Sequence, residues 1–263
     1  MPLMSHGALR AVQLQSLEGE RLFHGFFTRL GGVSFSPYDS LNMGHTVGDD
    51  PAAVETNHQL LFRALGLTGQ EIVNARQVHG DRVARVTAAD RGTVIADTDA
   101  LVSDSPGVTL LMRFADCVPL IYWAPKQGAF GLAHGGWRGS VQGIAAKTAR
   151  AMSDMFGCRP DELRVGIGPS IGTCCYQVGP EVIAQVREAM PDYEGLFSKF
   201  TADGRANLDL QQLNVRYLHR VGVKQIQIVG LCTACRTDLF FSHRAERGLT
   251  GRFAVVVGLR EGP

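Results

Sequence analysis

The sequence predicts an α/β fold, a single domain over residues 1–263 with mixed β-sheets flanked by helices. Short β-rich segments alternate with helical patterns along the whole chain. Turn signals run evenly over residues 31–251, with no repeat, low-complexity tract or Pro/Ser-rich linker to mark a boundary. Hydrophobic residues make up 45% of the 263, enough to fill a sizeable core, and 31 glycines point to many tight turns or close backbone approaches.

The elements follow in order. LFHGFF reads as a strand, and Asp50-Pro51 then supplies an N-cap and a proline at the first helical position, opening a helix over residues 51–65. Val54, Leu61, Ala64 and Leu65 should face the core. Residues 72–123 become β-rich, with IVNARQV, RVARV, ALV, VTLLMRF and PLIYW broken by Gly, Asp, Asn and Pro. AFGLAH adds a strand, a glycine-rich turn through Gly135, Gly136 and Gly139 follows, and VQGIAAKTARAMSDMF reads as one long helix closed by Gly157. The remainder alternates strands (RVGIG, QIQIVG, FAVVVGL) with helices near residues 180–190 and 208–221. Strand order is not legible from this pattern.

Composition removes several classes of partner. A net charge of +1 without any Lys/Arg run lacks the electrostatic footprint of a nucleic-acid or membrane-surface binder. Apolar runs such as VTLLM and FAVVVGL are too short to span a bilayer, and the first twenty residues lack the apolar core of an export signal. Six cysteines are then expected as thiols or metal ligands in the cytoplasm.

Three soft-metal donors fall at strand ends: His79, Cys117 and His134. Their separations match no compact zinc finger, so any shared site must be assembled by the fold. Two imidazoles and a thiolate would fill three positions on Zn²⁺, leaving the fourth for water, phosphate or substrate, as a catalytic site requires. Asp116, beside Cys117, is expected to orient a ligand imidazole. The residues alone point at least as readily to two satisfied histidines and an inert buried thiol, as single residues of these types usually are.

The glycines after His134 could expose backbone N–H groups to an anion at a helix N-terminus, with Arg138 adding charge, or could merely permit a tight turn. Arg29, Asn42, Ser242, Arg244 and Arg252 are of anion- and hydroxyl-binding type, although loop arginines are commonly solvated charges. Cys232 and Cys235 have thioredoxin-like spacing without a following helix, which reads as structural, and no second CxxC completes a zinc ribbon. Adjacent Cys174 and Cys175 are expected to be too strained to share one tetrahedral metal, with one thiol buried.

Taken together, FFTRLGGVS, PYDSLN, VGDDP, RQVHG, FADCVPL, AHGGWRG, GPSIGTCCYQVG and FFSHR with the later TGR resemble the YfiH/YlmD family, which includes vertebrate FAMIN and was formerly described as polyphenol oxidase. The resemblance covers about residues 23–259. It implies zinc ligands at His79, Cys117 and His134 and a YfiH-like domain related to cysteine-hydrolase toxin folds. It further implies purine nucleoside phosphorylase activity on adenosine, inosine and methylthioadenosine, together with adenosine deamination. Nucleoside and phosphate would then be the partners, with Arg29, Asn42, Arg138, Ser242 and Arg244 as substrate-binding residues and a monomer slightly favoured. The chain departs from the family where many members read NLG, a variable residue and histidine, here Asn42-Met43-Gly44-His45-Thr46, and at Phe114, where threonine is frequent.

Two rivals remain open. His₂Cys is also the core of copper electron-transfer sites, although eight histidines without a His-x-His pair argue against a multicopper oxidase. Alternatively Cys117, activated by His79 or His134, would make a metal-free hydrolase or amidase of the peptidoglycan-editing kind.

Overall fold

The structure is a computed structural model that describes residues 3–18 and 21–260. The domain expected over residues 1–263 thus includes residues 1, 2, 19, 20 and 261–263, which lie outside the described residues. In chain order the strands are β1 (Met4–His6), β2 (Leu9–Val12), β3 (Leu22–Phe27), β4 (Ile72–Ala75), β5 (Val83–Arg85), β6 (Val94–Ile95), β7 (Ala100–Ser103), β8 (Thr109–Phe114), β9 (Val118–Ala124), β10 (Ala129–Gly135), β11 (Arg164–Ile167), β12 (Gln177–Val178), β13 (Phe197–Ser198), β14 (Ala206–Leu208), β15 (Gln225–Ile228) and β16 (Phe253–Leu259). The helices are α1 (Pro51–Leu65), α2 (Trp137–Val141), α3 (Ile144–Phe156), α4 (Pro180–Ala189) and α5 (Leu210–Arg220).

A seven-stranded sheet runs β1-β2-β3-β16-β8-β4-β6, and a six-stranded sheet runs β15-β11-β9-β10-β7-β5. Both are mixed: β4 lies parallel to β6 and β8, β5 to β7, and β11 to β15, while the other pairs are antiparallel. The α/β class expected from the sequence is the one observed. The C-terminal β16 inserts between β3 and β8, a pairing across almost the whole chain that no local pattern announces.

Alternation along the strands explains the layers. Ile121, Trp123, Phe130 and Leu132 of one sheet meet Phe26, Leu110, Met112, Val255 and Val257 of the other in a shared apolar layer. Their neighbours Leu120, Tyr122, Ala129 and Ala133 face the opposite way, onto α3, α4 and α5. Leu111, Ala254 and Val256 likewise turn outward to meet Leu61 of α1. The order is helix, sheet, sheet, helix. Truncating a fully buried side chain of the central layer such as Phe130 should cost about 3–5 kcal/mol, because the cavity cannot close between two hydrogen-bonded sheets.

Helix α1 forms as the sequence predicts: the Asp50 side chain accepts the Ala52 N–H at 3.0 Å, and Gly66 closes the helix at φ 73°. Val54 and Leu61 are buried, Ala64 and Leu65 only half so. The segment expected as a glycine-rich turn instead forms the short helix α2, and the long helix expected from Val141 starts only after Gly143, at φ 78°, as α3. The strand expected over IVNARQV stops at Ala75, where the chain leaves the sheet toward His79. Among the described residues no helix is long and apolar enough to cross a membrane.

Candidate metal centre

The site is built where β4, β8 and β10 end. Beyond β4 the backbone N–H groups of Val78, His79 and Gly80 all donate to the carboxylate of Asp99, at 3.1, 3.0 and 2.8 Å. That turn holds His79 at φ 62°, a left-handed conformation whose cost these bonds offset. Cys117 lies in the turn from β8 to β9, just after Asp116 at φ 86°. His134 pairs with Pro119 across the β9/β10 ladder, so strand register alone brings it beside Cys117.

Asp99, fully buried, also accepts from His134 Nδ1 at 2.8 Å. With Nδ1 occupied, Nε2 is the nitrogen left for a ligand. The donor atoms of His79, Cys117 and His134 all lie within 4.8 Å of one another, close enough to share one metal ion. Space for this is made by absent side chains: a Cβ on Gly136 would stand 2.8 Å from His79 Cδ2 and 3.3 Å from Cys117 Sγ, and one on Gly139 would strike the Gly80 carbonyl. The glycines after His134 therefore serve close approach. Helix α2, which they open, is only five residues long.

Charge is matched within the cluster. Burial opposes ionisation of the Cys117 thiol, but the facing His134 and His79 imidazoles pull its pKa well below the ordinary thiol value. Burial likewise disfavours the His134 imidazolium, yet Cys117 and Asp99 hold its pKa above the usual histidine value. Thiolate and imidazolium are thus poised to exchange a proton for a cation. Two imidazoles, one ionisable thiol and a carboxylate behind one imidazole form a donor set that fits a metal with an open position.

That opening faces a cleft of about 960 Å³, lined by the three donors and by Arg113, Arg138, Tyr176, Arg244 and Arg252. Arg138 lies over the Trp137 ring at 4.4 Å and Arg244 over Tyr176 at 5.2 Å, so their aromatic neighbours steady both heads.

A family model described as multi-copper polyphenol oxidoreductase laccase matches residues 23–260. The chain belongs to that family. Among its curated relatives, "Purine nucleoside phosphorylase YlmD" of Geobacillus stearothermophilus is 40% identical over 246 residues, covering 90% of each chain. The Bacillus subtilis protein of the same name is 37% identical, over 90% of this chain and 88% of that one. The crystal structure of YlmD from Geobacillus stearothermophilus superposes with a TM-score of 0.92 at 37% identity, covering 98% of both chains. The resemblance to the YfiH/YlmD family is therefore correct.

Within this family member the other expected site residues divide. Arg138 and Arg244 line the cleft. Arg29 does not: it is buried, donates to the Asp39 and Thr237 carbonyls, pairs with Glu246 at 2.9 Å and lies over Phe241 at 4.3 Å. Asn42 is fully buried and saturated by Gly44, Asp49 and Arg252. Ser242, also fully buried, donates to Asp116 at 2.7 Å. All three are loop fasteners whose polar atoms are already spent. Asp116 is corrected too: its carboxylate accepts from Thr233 at 2.6 Å, from Ser242 and from the Arg244 N–H at 2.7 Å. The imidazole it was expected to orient is held by Asp99.

Asp99 and Arg113 escaped the sequence reading. Asp99 left one signal, an acid immediately before the apolar strand ALV. His45 lines the cleft and stacks on His58, with ring centroids 4.8 Å apart. The cysteine readings also change: Cys174 is exposed and Cys175 half-buried, and both sulfurs gather with those of Cys232 and Cys235.

Proposed function

We propose that this chain is a zinc-dependent purine nucleoside phosphorylase acting on adenosine, inosine and methylthioadenosine, and that it also deaminates adenosine. The observation that carries the reading is one shared cleft, lined both by the His79, Cys117 and His134 cluster and by Arg138 and Arg244. The names of the curated relatives support the nucleoside and phosphate chemistry.

In phosphorolysis a phosphate oxygen bonds to C1′ of the ribose as the C1′–N9 bond breaks, and the purine leaves with the electron pair and takes up a proton. Arg138 and Arg244 hold and orient the phosphate dianion for attack at C1′, so that their contribution is positioning of the nucleophile. Bound Zn²⁺ would be held by His79, Cys117 and His134 and would supply Lewis-acid polarisation and acidification of water. Asp99 fixes the His134 ring and the turn carrying His79, so the donors do not reorganise during turnover. Deamination replaces the amino group at C6 of adenine by water, releasing ammonia. The near-neutral chain charge suits small substrates in the cytoplasm rather than nucleic acid or membrane.

His₂Cys also suits copper, but a multicopper cluster needs further imidazoles. Among the described residues the second group able to hold a metal consists of four cysteines. One observation favours another reading: Cys117, His134 and Asp99 stand in line as nucleophile, base and orienting carboxylate, the arrangement of a metal-free cysteine hydrolase.

A product screen with adenosine, inosine, guanosine and methylthioadenosine, with and without phosphate, tests the proposal. Free purine base and the matching sugar 1-phosphate (5-methylthioribose 1-phosphate from methylthioadenosine, ribose 1-phosphate from the others) should form only when phosphate is present, and inosine should form from adenosine without it. Absence of any phosphate-dependent product would overturn the phosphorylase reading.

A further inference from the structure

Two cysteine pairs that the cleft chemistry does not use lie together on neighbouring loops. The Cys235 sulfur stands 3.6 Å from that of Cys174 and 3.4 Å from that of Cys175, and all four sulfurs, with that of Cys232, fall within 4.8 Å of one another. A metal bound to four sulfurs at about 2.3 Å separates them by about 3.8 Å, within this range. Cys235 is nearly equidistant from Cys174 and Cys175, so no pair is singled out for a disulfide.

The loops are shaped for this gathering. Residues 172–176 turn tightly, with the Cys175 and Tyr176 N–H groups both donating to the Gly172 carbonyl at 3.0 Å. In such a helix-like turn successive side chains diverge by about 100° rather than pointing to opposite faces, so adjacent cysteines can reach one centre. Asn207 braces the turn by donating to the Thr173 carbonyl at 2.6 Å. The Gly172 N–H donates to Cys232 Sγ at 3.2 Å, a bond that favours thiolate. A Cβ on Gly172 would stand 3.2 Å from both Cys174 Sγ and Cys232 Cβ, crowding the cluster.

We infer that Cys174, Cys175, Cys232 and Cys235 form a second, structural metal site that binds Zn²⁺ as a tetrathiolate, each thiol releasing its proton to solvent. Cys174 and Cys235 are exposed, giving an ion access. The site joins two segments that frame the cleft: Ile171 and Tyr176 line it, and Thr233, beside Cys232, holds Asp116. The bound ion would brace that wall without touching substrate.

The test is zinc stoichiometry by metal mass spectrometry on protein purified without oxygen, equilibrated with Zn²⁺ and freed of excess. Wild type should carry two zinc ions per chain. Cys174→Ser combined with Cys235→Ser should carry one and melt at lower temperature. Cys117→Ala should also carry one, and X-ray absorption of that variant should show four sulfur neighbours at about 2.3 Å. The last measurement decides the matter even if the double variant fails to fold. Cys117→Ala without zinc, with mainly nitrogen or oxygen neighbours, or with these cysteines joined as disulfides under the same conditions would overturn the inference.

Discussion

The two walls of the cleft each turn on one buried aspartate, and the two aspartates do different things. Asp99 gathers strand ends: three consecutive backbone N–H groups and the His134 ring converge on it, and its own carbonyl accepts the His134 N–H at 2.8 Å. Asp116 gathers loops through Thr233, Ser242 and the Arg244 backbone. Asp116 is the chain neighbour of a metal-ligand candidate, yet Asp99, 35 residues from His134, touches the imidazole. The contrast shows that a carboxylate's role follows from which donors converge on it, not from its distance along the chain.

Substituting the two in parallel sharpens that contrast most. Asp99→Asn puts an N–H₂ group among four donors and removes the charge that orients His134, so zinc affinity should fall by about 10–100-fold and activity should fall with it. Asp116→Asn keeps an oxygen for Thr233 and Ser242 but sets an amide donor against the Arg244 N–H. It should lose about 1–3 kcal/mol of stability while retaining its zinc. Competition with a chelator and denaturant unfolding measure the two quantities, and equal zinc affinity in both variants would erase the distinction.

A smaller effect on activity separates two arginines. Arg244→Ala should weaken turnover or raise KM for phosphate with little change in melting temperature, since its side chain makes one hydrogen bond, to the Gln177 carbonyl at 2.8 Å, on an exposed rim. Arg29→Ala should do the reverse, costing about 1–3 kcal/mol by leaving the Asp39 and Thr237 carbonyls without their donor and Glu246 without its ion pair, while the kinetics of the folded fraction stay intact. Unchanged kinetics with a large melting shift in Arg244→Ala would make it a second clamp.

Much of the fold was legible where periodicity is local. The strands LFHGFF and FAVVVGL and helix α1 match their predicted spans because alternation, an N-cap and a terminal glycine are short-range signals. The break at Gly143 was missed because an apolar stripe reads continuously through a single glycine. His79, Cys117 and His134 stand at strand ends in the sequence, but only the family resemblance marks them as a shared ligand set, because separations of 38 and 17 residues carry no local metal signature. Arg29, Asn42 and Ser242 were misplaced because burial is a property of tertiary packing: their polar atoms look free until the loops that consume them are assembled. The four cysteines were read as two separate pairs because 60 residues separate Cys175 from Cys235 and the turn that lets adjacent thiols converge is not encoded in their spacing.

The central claim is that the cleft's His79, Cys117 and His134 act by holding a metal rather than by thiol attack. It is tested most directly by following phosphorolysis of adenosine against zinc content in wild type and in Cys117→Asp, with melting temperature recorded alongside. Stripping zinc from wild type should abolish turnover and Zn²⁺ should restore it, while Cys117→Asp should retain some of both, because a carboxylate can ligate zinc but cannot serve as a thiol nucleophile. Full turnover by zinc-free wild type, with none from zinc-loaded Cys117→Asp, would contradict the account and leave Cys117 as the nucleophile.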